Sequence, residues 1–314
     1  MITLSEAISL YIEHKQALGY RYRAEGAILK SFCKSLGEGP ITAIEAKAVH
    51  NFINGQGPVT ENNLKKYKVL SGFYKFVLTR GFVKVSPLPS SIPQKTIPDF
   101  VPYIYSREEI KKLIANVHIV CTSRMSIEEN ILRTLLLLLY GSGLRIGEAL
   151  ALLNRDVDIL QECLFIRETK FFKSRFVPMG KDLTDILSEY IEKRHNYYSS
   201  SANAPFFYFK NGLPLSQSAV RNFFRRLRSS AGIKRDGDSR HQPRIHDIRH
   251  TAAVHRLIAW YRNGLDVQDF LPKLATYLGH VEISSTQKYI TLTHELLRQA
   301  SNRFENYAMG GVAS

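Results

Sequence analysis

The stretch ILRTLLLLLYGSGLRIGEALALL, Ile131 to Leu153, decides between a membrane-spanning chain and a globular core. It exceeds the roughly 20 residues that cross a bilayer, but Arg133, Arg145 and Glu148 lie within it. A charged side chain at the bilayer centre costs about 2.5–3.5 kcal/mol even on lenient scales. The stretch therefore reads as a buried helix of a folded domain. Within it, Gly141-Ser142-Gly143-Leu144-Arg145-Ile146-Gly147-Glu148-Ala149-Leu150 brings a Gly-rich turn into an apolar helix with one arginine among aliphatic residues. A guanidinium on a buried face needs a carboxylate or a phosphate. Glu148, three residues on, satisfies Arg145 locally, and a bound anion is the other reading.

The rest of the composition favours the anion. The chain has 314 residues, enough for two domains, with 44% hydrophobic and 23% charged residues, values typical of globular proteins. Its net charge is +15, of which residues 1–100 carry +6 and the remainder +9. Positive charge in both halves points to a polyanion contacted by both rather than to a basic tail. No polybasic run beside a lipid anchor and no basic amphipathic end segment supports a membrane surface. The N-terminus shows no charged-then-apolar leader, and Cys33, Cys121 and Cys163 are odd in number and widely spaced, so a cytoplasmic, reducing location is expected. Without a CxxC or a His/Cys pair at ligand spacing, no metal site is expected.

Four helix-length amphipathic stretches fill the first 82 residues: Leu4–Leu18, Ala24–Leu36, Ala43–Asn54 and Glu61–Leu78, separated by Gly- and Pro-containing breaks. They predict a small all-α bundle. Lys65, Lys66, Lys68, Lys75 and Arg80 on the fourth suit either a phosphate backbone or a solvated face. Residues 85–103 hold five prolines and predict an extended linker. At about 3.3 Å per residue it is long enough for two domains to lie on opposite sides of a cylinder about 20 Å wide. Beyond it, Ser106 and Glu109 have capping-box spacing. Val157–Ile159, Cys163–Glu168 and Arg175–Met179 read as short antiparallel strands, and helices resume at Leu183–Arg194, Ser216–Ala231 and on to about Tyr307.

Three further motifs carry candidate chemistry. Lys170-Phe171-Phe172-Lys173-Ser174-Arg175 forms a turn between predicted strands, able to project an ammonium or merely to solvate a hairpin tip. In Arg244-Ile245-His246-Asp247-Ile248-Arg249-His250, His246 and Arg249 share a helix face while Ile245 and Ile248 pack behind them. Two donors on one face suit an anion, although a charged helix surface gives the same pattern. In Tyr277-Leu278-Gly279-His280, continuing through Ser284-Ser285-Thr286 to Tyr289, Gly279 reads as a helix stop and the Ser/Thr cluster as the cap of a new helix. Tyr289 is one tyrosine among 16, and its own helix does not distinguish it.

In this order the four motifs resemble the tyrosine recombinase (phage integrase) family, whose pattern is an arginine in G-L-R-x-x-E, a hairpin lysine, H-x-x-R, then L-G-H followed nine residues later by a nucleophilic tyrosine. The resemblance covers about Tyr105 to Tyr307. It implies a mainly α fold: a four-helix core-binding, SAM-like domain over 1–84, the linker 85–103, and an α+β catalytic domain over 104–314 with a small three-stranded antiparallel sheet. It implies Tyr289 as nucleophile, with Arg145, Lys170, His246, Arg249 and His280 as its catalytic partners and Lys173 as an alternative to Lys170. Lys65, Lys66, Lys68, Lys173, Arg175 and Arg244 are the expected DNA contacts. The stretch from Arg249 to His280 is longer than in compact members and is similar to transposon-encoded branches.

The implied chemistry needs these residue types. Attack by tyrosine on a phosphodiester places negative charge on the non-bridging oxygens, which guanidiniums stabilise through paired hydrogen bonds. A phenol with a pKa near 10 must lose its proton, and the departing 5′ oxygen must gain one. The resemblance implies His246 for the first task and Lys170 for the second, His280 as a further phosphate donor, and no cofactor. Specific core sites on double-stranded DNA are the implied partner, with a homo-tetramer on two duplexes and other recombinases as further partners. A type IB topoisomerase shares the cleavage step, and a silent DNA-binding helper of another recombinase shares the surface. The complete residue set argues against the helper.

Overall fold

The structure, a computed structural model, describes residues 2–94, 101–122, 125–167, 174–195, 201–235 and 242–279, together with 298 and 301. The chain divides into two compact units, residues 1–99 and 100–314.

The first unit is a bundle of α1 (Leu4–Ala17), α2 (Arg23–Leu36), α3 (Ala46–Asn54) and α4 (Glu61–Thr79). Apolar residues at helical spacing, among them Leu4, Ile8, Leu29, Phe32, Ile53, Leu70 and Phe73, close its core. Thr3 and Glu6 form a reciprocal capping box at the start of α1. Buried Asn63 in the first turn of α4 donates to the carbonyls of Ile53 (2.7 Å) and Asn54 (3.1 Å), tying α4 to the end of α3. The third helix begins at Ala46 rather than Ala43. Ile41–Ala43 form a separate 3-10 turn, and Ile44 and Glu45 after it are extended, so the α-helix starts only at Ala46. The start of the proline-rich stretch is anchored to the bundle: Leu88 packs on it, and the Tyr67 hydroxyl donates to the Pro89 carbonyl at 3.2 Å.

In the second unit, α5 (Arg107–Ala115) opens on the Ser106/Glu109 capping box and is followed by the short α6 (Val117–Val120). The apolar run is not one helix. It forms α7 (Glu129–Ser142) and α8 (Ile146–Leu150), separated by Gly143 in the left-handed conformation (φ +63°) and by Arg145 in an extended one. A β-carbon at Gly143 would lie 2.8 Å from Leu278 Cδ2, so the break is fixed by packing as well as by backbone freedom. Buried leucines surround α7, which packs against α9 (Lys181–His195) and α11 (Asp247–Arg262). Strands β1 (Val157–Asp158), β2 (Cys163–Ile166) and β3 (Arg175–Pro178) form an antiparallel sheet in that order, with Ile166 opposite Arg175 and Leu164 opposite Val177. The other α-helices among the described residues of this unit are α10 (Gln217–Ser230) and α12 (Val267–Leu278). Among the described residues no helix is long and apolar enough to cross a membrane.

Candidate active site

Three chain segments converge in the second unit: the break between α7 and α8, the start of β3, and the first turn of α11. The C-terminal end of α12 joins them, and each of the three segments contributes one arginine.

Arg145 leaves an extended residue just before α8. Its N–H donates to Glu148 Oε2 (3.0 Å), Nη1 to Glu148 Oε1 (2.8 Å) and Nη2 to the Gly279 carbonyl (3.0 Å). Arg249 points inward from α11, donating from Nη1 to the Gly143 carbonyl (2.8 Å) and from Nη2 to that of Leu278 (2.6 Å), with Glu148 Oε2 at 4.0 Å. Arg175 forks onto both Glu148 oxygens, at 3.2 and 2.9 Å, while its Nε donates to the Tyr277 carbonyl (3.1 Å). Helix-end carbonyls lack intrahelical partners and carry the negative end of the helix dipole. Here the carbonyls of Tyr277, Leu278 and Gly279 are all met by guanidiniums.

Three guanidiniums around one carboxylate leave a surplus of positive charge, the electrostatic requirement of an anion site. Burial pushes the Glu148 carboxyl up, but hydrogen bonds and charge from Arg175 and then Arg145 outweigh it and hold the group below its ordinary 4.5. The three arginines differ in access: side-chain exposure is 35% for Arg145, 12% for Arg175 and 3% for Arg249. Arg145 is thus the most accessible of the three.

His246 immediately precedes α11 with φ −66° and ψ −25° and is half-buried. Burial lowers its pKa from the ordinary 6.5, and the charges of Arg249, Arg244 and Arg145 lower it further against an opposing effect of Asp247. The ring is therefore a neutral imidazole at neutral pH, able to accept a proton. Its turn is braced from beneath. Fully buried Asp247 accepts from the Arg244 N–H (2.8 Å) and Nη2 (3.0 Å), the Tyr105 hydroxyl donates to the Arg244 carbonyl (3.1 Å), and the Tyr105 N–H donates to Thr251 Oγ1 (3.0 Å).

Arg145 and Arg249 are thus brought to one carboxylate, and His246 lies one turn of chain before Arg249, with Ile245 and Ile248 buried behind it. The shared helix face takes a different form from the expected one: His246 sits at the helix boundary and stays accessible, while Arg249 turns into the core. Lys170, Lys173, His280 and Tyr289 lie outside the described residues.

The expected DNA contacts divide. Arg175 is built into the site wall instead of facing outward, because strand alternation puts it on the same side as buried Val177. That alternation was readable in the sequence. Lys66 donates to the Phe52 carbonyl (2.7 Å) and lies 4.4 Å above the Phe52 ring, so its ammonium joins α3 to α4. Lys65 and Lys68 are exposed to a greater degree, with Lys65 3.9 Å from Glu25. Arg244, paired with Asp247, lines an open groove of about 510 Å³ together with Arg221, Arg225, Arg228 and His246. Sequence reasoning treated Glu148 as the bland half of an ion pair and missed Asp247, Tyr105 and Thr251 as braces, because their partners are distant in sequence.

Comparison with known proteins gives the family. Residues 105–295 match the phage integrase family. A protein that carries the name integrase/recombinase in Sinorhizobium fredii (strain NBRC 101917 / NGR234) is 31% identical over 97% of this chain and 98% of its own length. Tyrosine recombinase XerC of Bacillus pumilus (strain SAFR-032) is 32% identical over 75% of this chain and 72% of its own. The Tn1549 transposon integrase, solved in complex with transposon right end DNA, shares the fold with a TM-score of 0.67 at 16% identity, covering 98% of this chain and 100% of that one. The chain therefore belongs to the phage integrase family, the tyrosine recombinases.

Proposed function

We propose that this chain is a site-specific recombinase or integrase that cleaves and rejoins double-stranded DNA through Tyr289. The observation that carries the reading is the surplus of guanidinium charge around Glu148, with Arg145 accessible and a neutral His246 nearby.

In this reading Arg145 and Arg249 bind the non-bridging oxygens of the scissile phosphate, and His280 adds a hydrogen bond. His246 takes the proton as the Tyr289 oxygen attacks phosphorus. The P–O5′ bond breaks, Lys170 protonates the departing 5′ hydroxyl, and a 3′-phosphotyrosyl bond forms. Attack by a 5′ hydroxyl from a second strand reverses the step with the new partner, so bond energy is conserved and no cofactor is consumed. Exchange of one strand pair gives a Holliday junction, which requires a tetramer holding two duplexes. Residues 1–84 serve as the core-binding domain, 85–103 as the linker and 104–314 as the catalytic domain, with Lys65, Lys68, Lys173 and Arg244 on the DNA and the site of action in the cytoplasm. The groove lined by Arg221, Arg225 and Arg244 offers the backbone a basic path leading to His246.

The test uses a pool of nicked duplexes with randomised flanks, incubated with the protein and recovered under denaturing conditions. Covalently held DNA should converge on a core sequence, and Tyr289→Phe should bind without forming adduct. A wild-type protein that forms no adduct sinks the enzyme reading. Relaxation of a supercoiled plasmid carrying two captured sites, without any recombinant product, assigns the chemistry to a topoisomerase instead.

A further inference from the structure

We propose that Arg175 is a positioning residue of the strand-cleavage reaction, locking the lysine hairpin, the Arg145 turn and the end of α12 into one register, and that it does not contact DNA. The inference rests on the recombinase reading above.

Arg175 ends the segment that carries Lys170 and Lys173 and pairs with Ile166 across the sheet. The opposite arm is also anchored, since Arg167 pairs with the buried carboxylate of Asp156, its Nε at 2.6 Å from Oδ1. Both feet of the hairpin are thereby held by ion pairs to carboxylates that solvent hardly reaches. The two anchors differ in what lies beyond them. Asp156 belongs to the turn leading into β1, whereas Glu148 is the carboxylate shared with Arg145 and lies near Arg249.

A planar guanidinium presents donors in a fixed fork, so it can hold a carboxylate through two atoms and direct a third elsewhere. Arg175 uses its fork this way, with Nη1 and Nη2 on Glu148 and Nε on the Tyr277 carbonyl. The Nη2 group also lies 3.4 Å from the Leu278 carbonyl, two residues before His280. One side chain therefore fixes distances among three separate segments that each carry a proposed catalytic residue. Glu148 is gripped through both oxygens by Arg175 and by Arg145 alike, so the two arginines are tied through one carboxylate while the Arg145 side chain stays 35% exposed.

Gly279 supplies independent support. An ideal β-carbon there would lie 2.7 Å from Arg175 Nη1 and 2.8 Å from its Cζ, and the residue has φ +68°. The backbone of the α12 terminus thus comes so close to this guanidinium that any side chain at position 279 would have to displace it. An arginine serving as a mobile DNA contact would not need such a seat.

The experiment compares the wild type, Arg175→Gln, Arg175→Lys, Glu148→Gln and the double variant Glu148→Gln/Arg175→Gln on a nicked duplex recovered by covalent capture. Duplex affinity and single-turnover adduct formation are measured separately, with thermal unfolding confirming that each variant is folded at the assay temperature. Arg175→Gln should bind within about two-fold of the wild type and cleave about 100-fold more slowly, the order expected when reacting groups are misplaced by about 1 Å. Arg175→Lys should recover only part of the rate, since it restores the charge and not the fork. The double variant should be no slower than the slower single variant, because both changes break the same link. If affinity falls in parallel with cleavage and the salt dependence of binding flattens, Arg175 is a DNA contact and the inference is overturned. Wild-type cleavage by Arg175→Gln overturns it alone, while absence of wild-type adduct overturns the recombinase reading and this inference with it. Should Arg175→Gln fail to fold, Gly279→Ala perturbs the same seat with the arginine present, and wild-type cleavage by that variant overturns the inference.

Discussion

At the scale of single residues, accessibility separates two arginines that the sequence presents as equivalents. Arg145 keeps 35% of its side chain exposed, whereas Arg249 keeps 3% and supplies a donor to the Gly143 carbonyl. Arg145→Ala should therefore lose cleavage by orders of magnitude, as when an oxyanion donor is removed, with a smaller loss of stability than Arg249→Ala because its bonds lie nearer solvent. Arg249→Ala should lose cleavage and also about 1–3 kcal/mol of stability for the Gly143 carbonyl left unpaired. Urea denaturation of both variants checks this, and equal stabilities would refute it. His246 gives a second residue-scale prediction. Its folded pKa lies below the ordinary 6.5, so the neutral base persists down to and below that pH. Below pH 6.5 the unfolded chain binds the proton more readily than the folded one, so this group's effect is to weaken folding as pH falls through that window. Single-turnover cleavage should decline as pH falls and the His246 ring takes up a proton, and an unchanged acid limb in His246→Gln would exclude His246 as the base.

Among elements, the decisive feature is the break between α7 and α8. A continuous helix through residues 131–153 would put Arg145 on a regular helix face, where its N–H would enter the helix ladder. Gly143 in the left-handed conformation ends α7, and the extended residue that follows lets the Arg145 N–H and side chain both reach Glu148. Gly143→Ala should cost about 1–3 kcal/mol for a non-glycine residue held in that conformation, and more because the added carbon meets Leu278. Cleavage should fall more than stability alone explains, and adduct rates measured well below the melting temperature test this. The break was only partly legible. Apolar periodicity and glycines gave burial and a turn, but the choice between one helix and two depends on the end of α12, far along the chain. Strand positions, by contrast, were readable within one residue or two, because alternation is local. Tyr105 and Thr251, which brace the His246 turn, look like ordinary core residues in sequence, because only the tertiary fold brings Tyr105 to the Arg244 carbonyl.

For the whole molecule, the net charge of +15 is spread over both units, which ties DNA affinity to counterion release from many phosphates. Proteins that neutralise about 6–10 phosphates lose about 10³–10⁵ in affinity between 50 and 200 mM salt, and this chain should fall in that range. The first unit makes the argument specific. Lys65 and Lys68 stand on the outer side of α4, while Lys66 between them is spent on the Phe52 carbonyl and ring. Replacing Lys65 and Lys68 by Gln should reduce the slope of log affinity against log salt by about 0.9 for each phosphate those lysines neutralise, with stability unchanged. Lys66→Gln should leave that slope intact and lower stability by about 1–3 kcal/mol, the cost of breaking a charge-assisted bond to a partly buried carbonyl. Titrations of one captured duplex across a series of salt concentrations, alongside urea denaturation, separate the two effects. A slope that ignores Lys65 and Lys68 would make that helix face a solvated surface and leave DNA binding to the second unit.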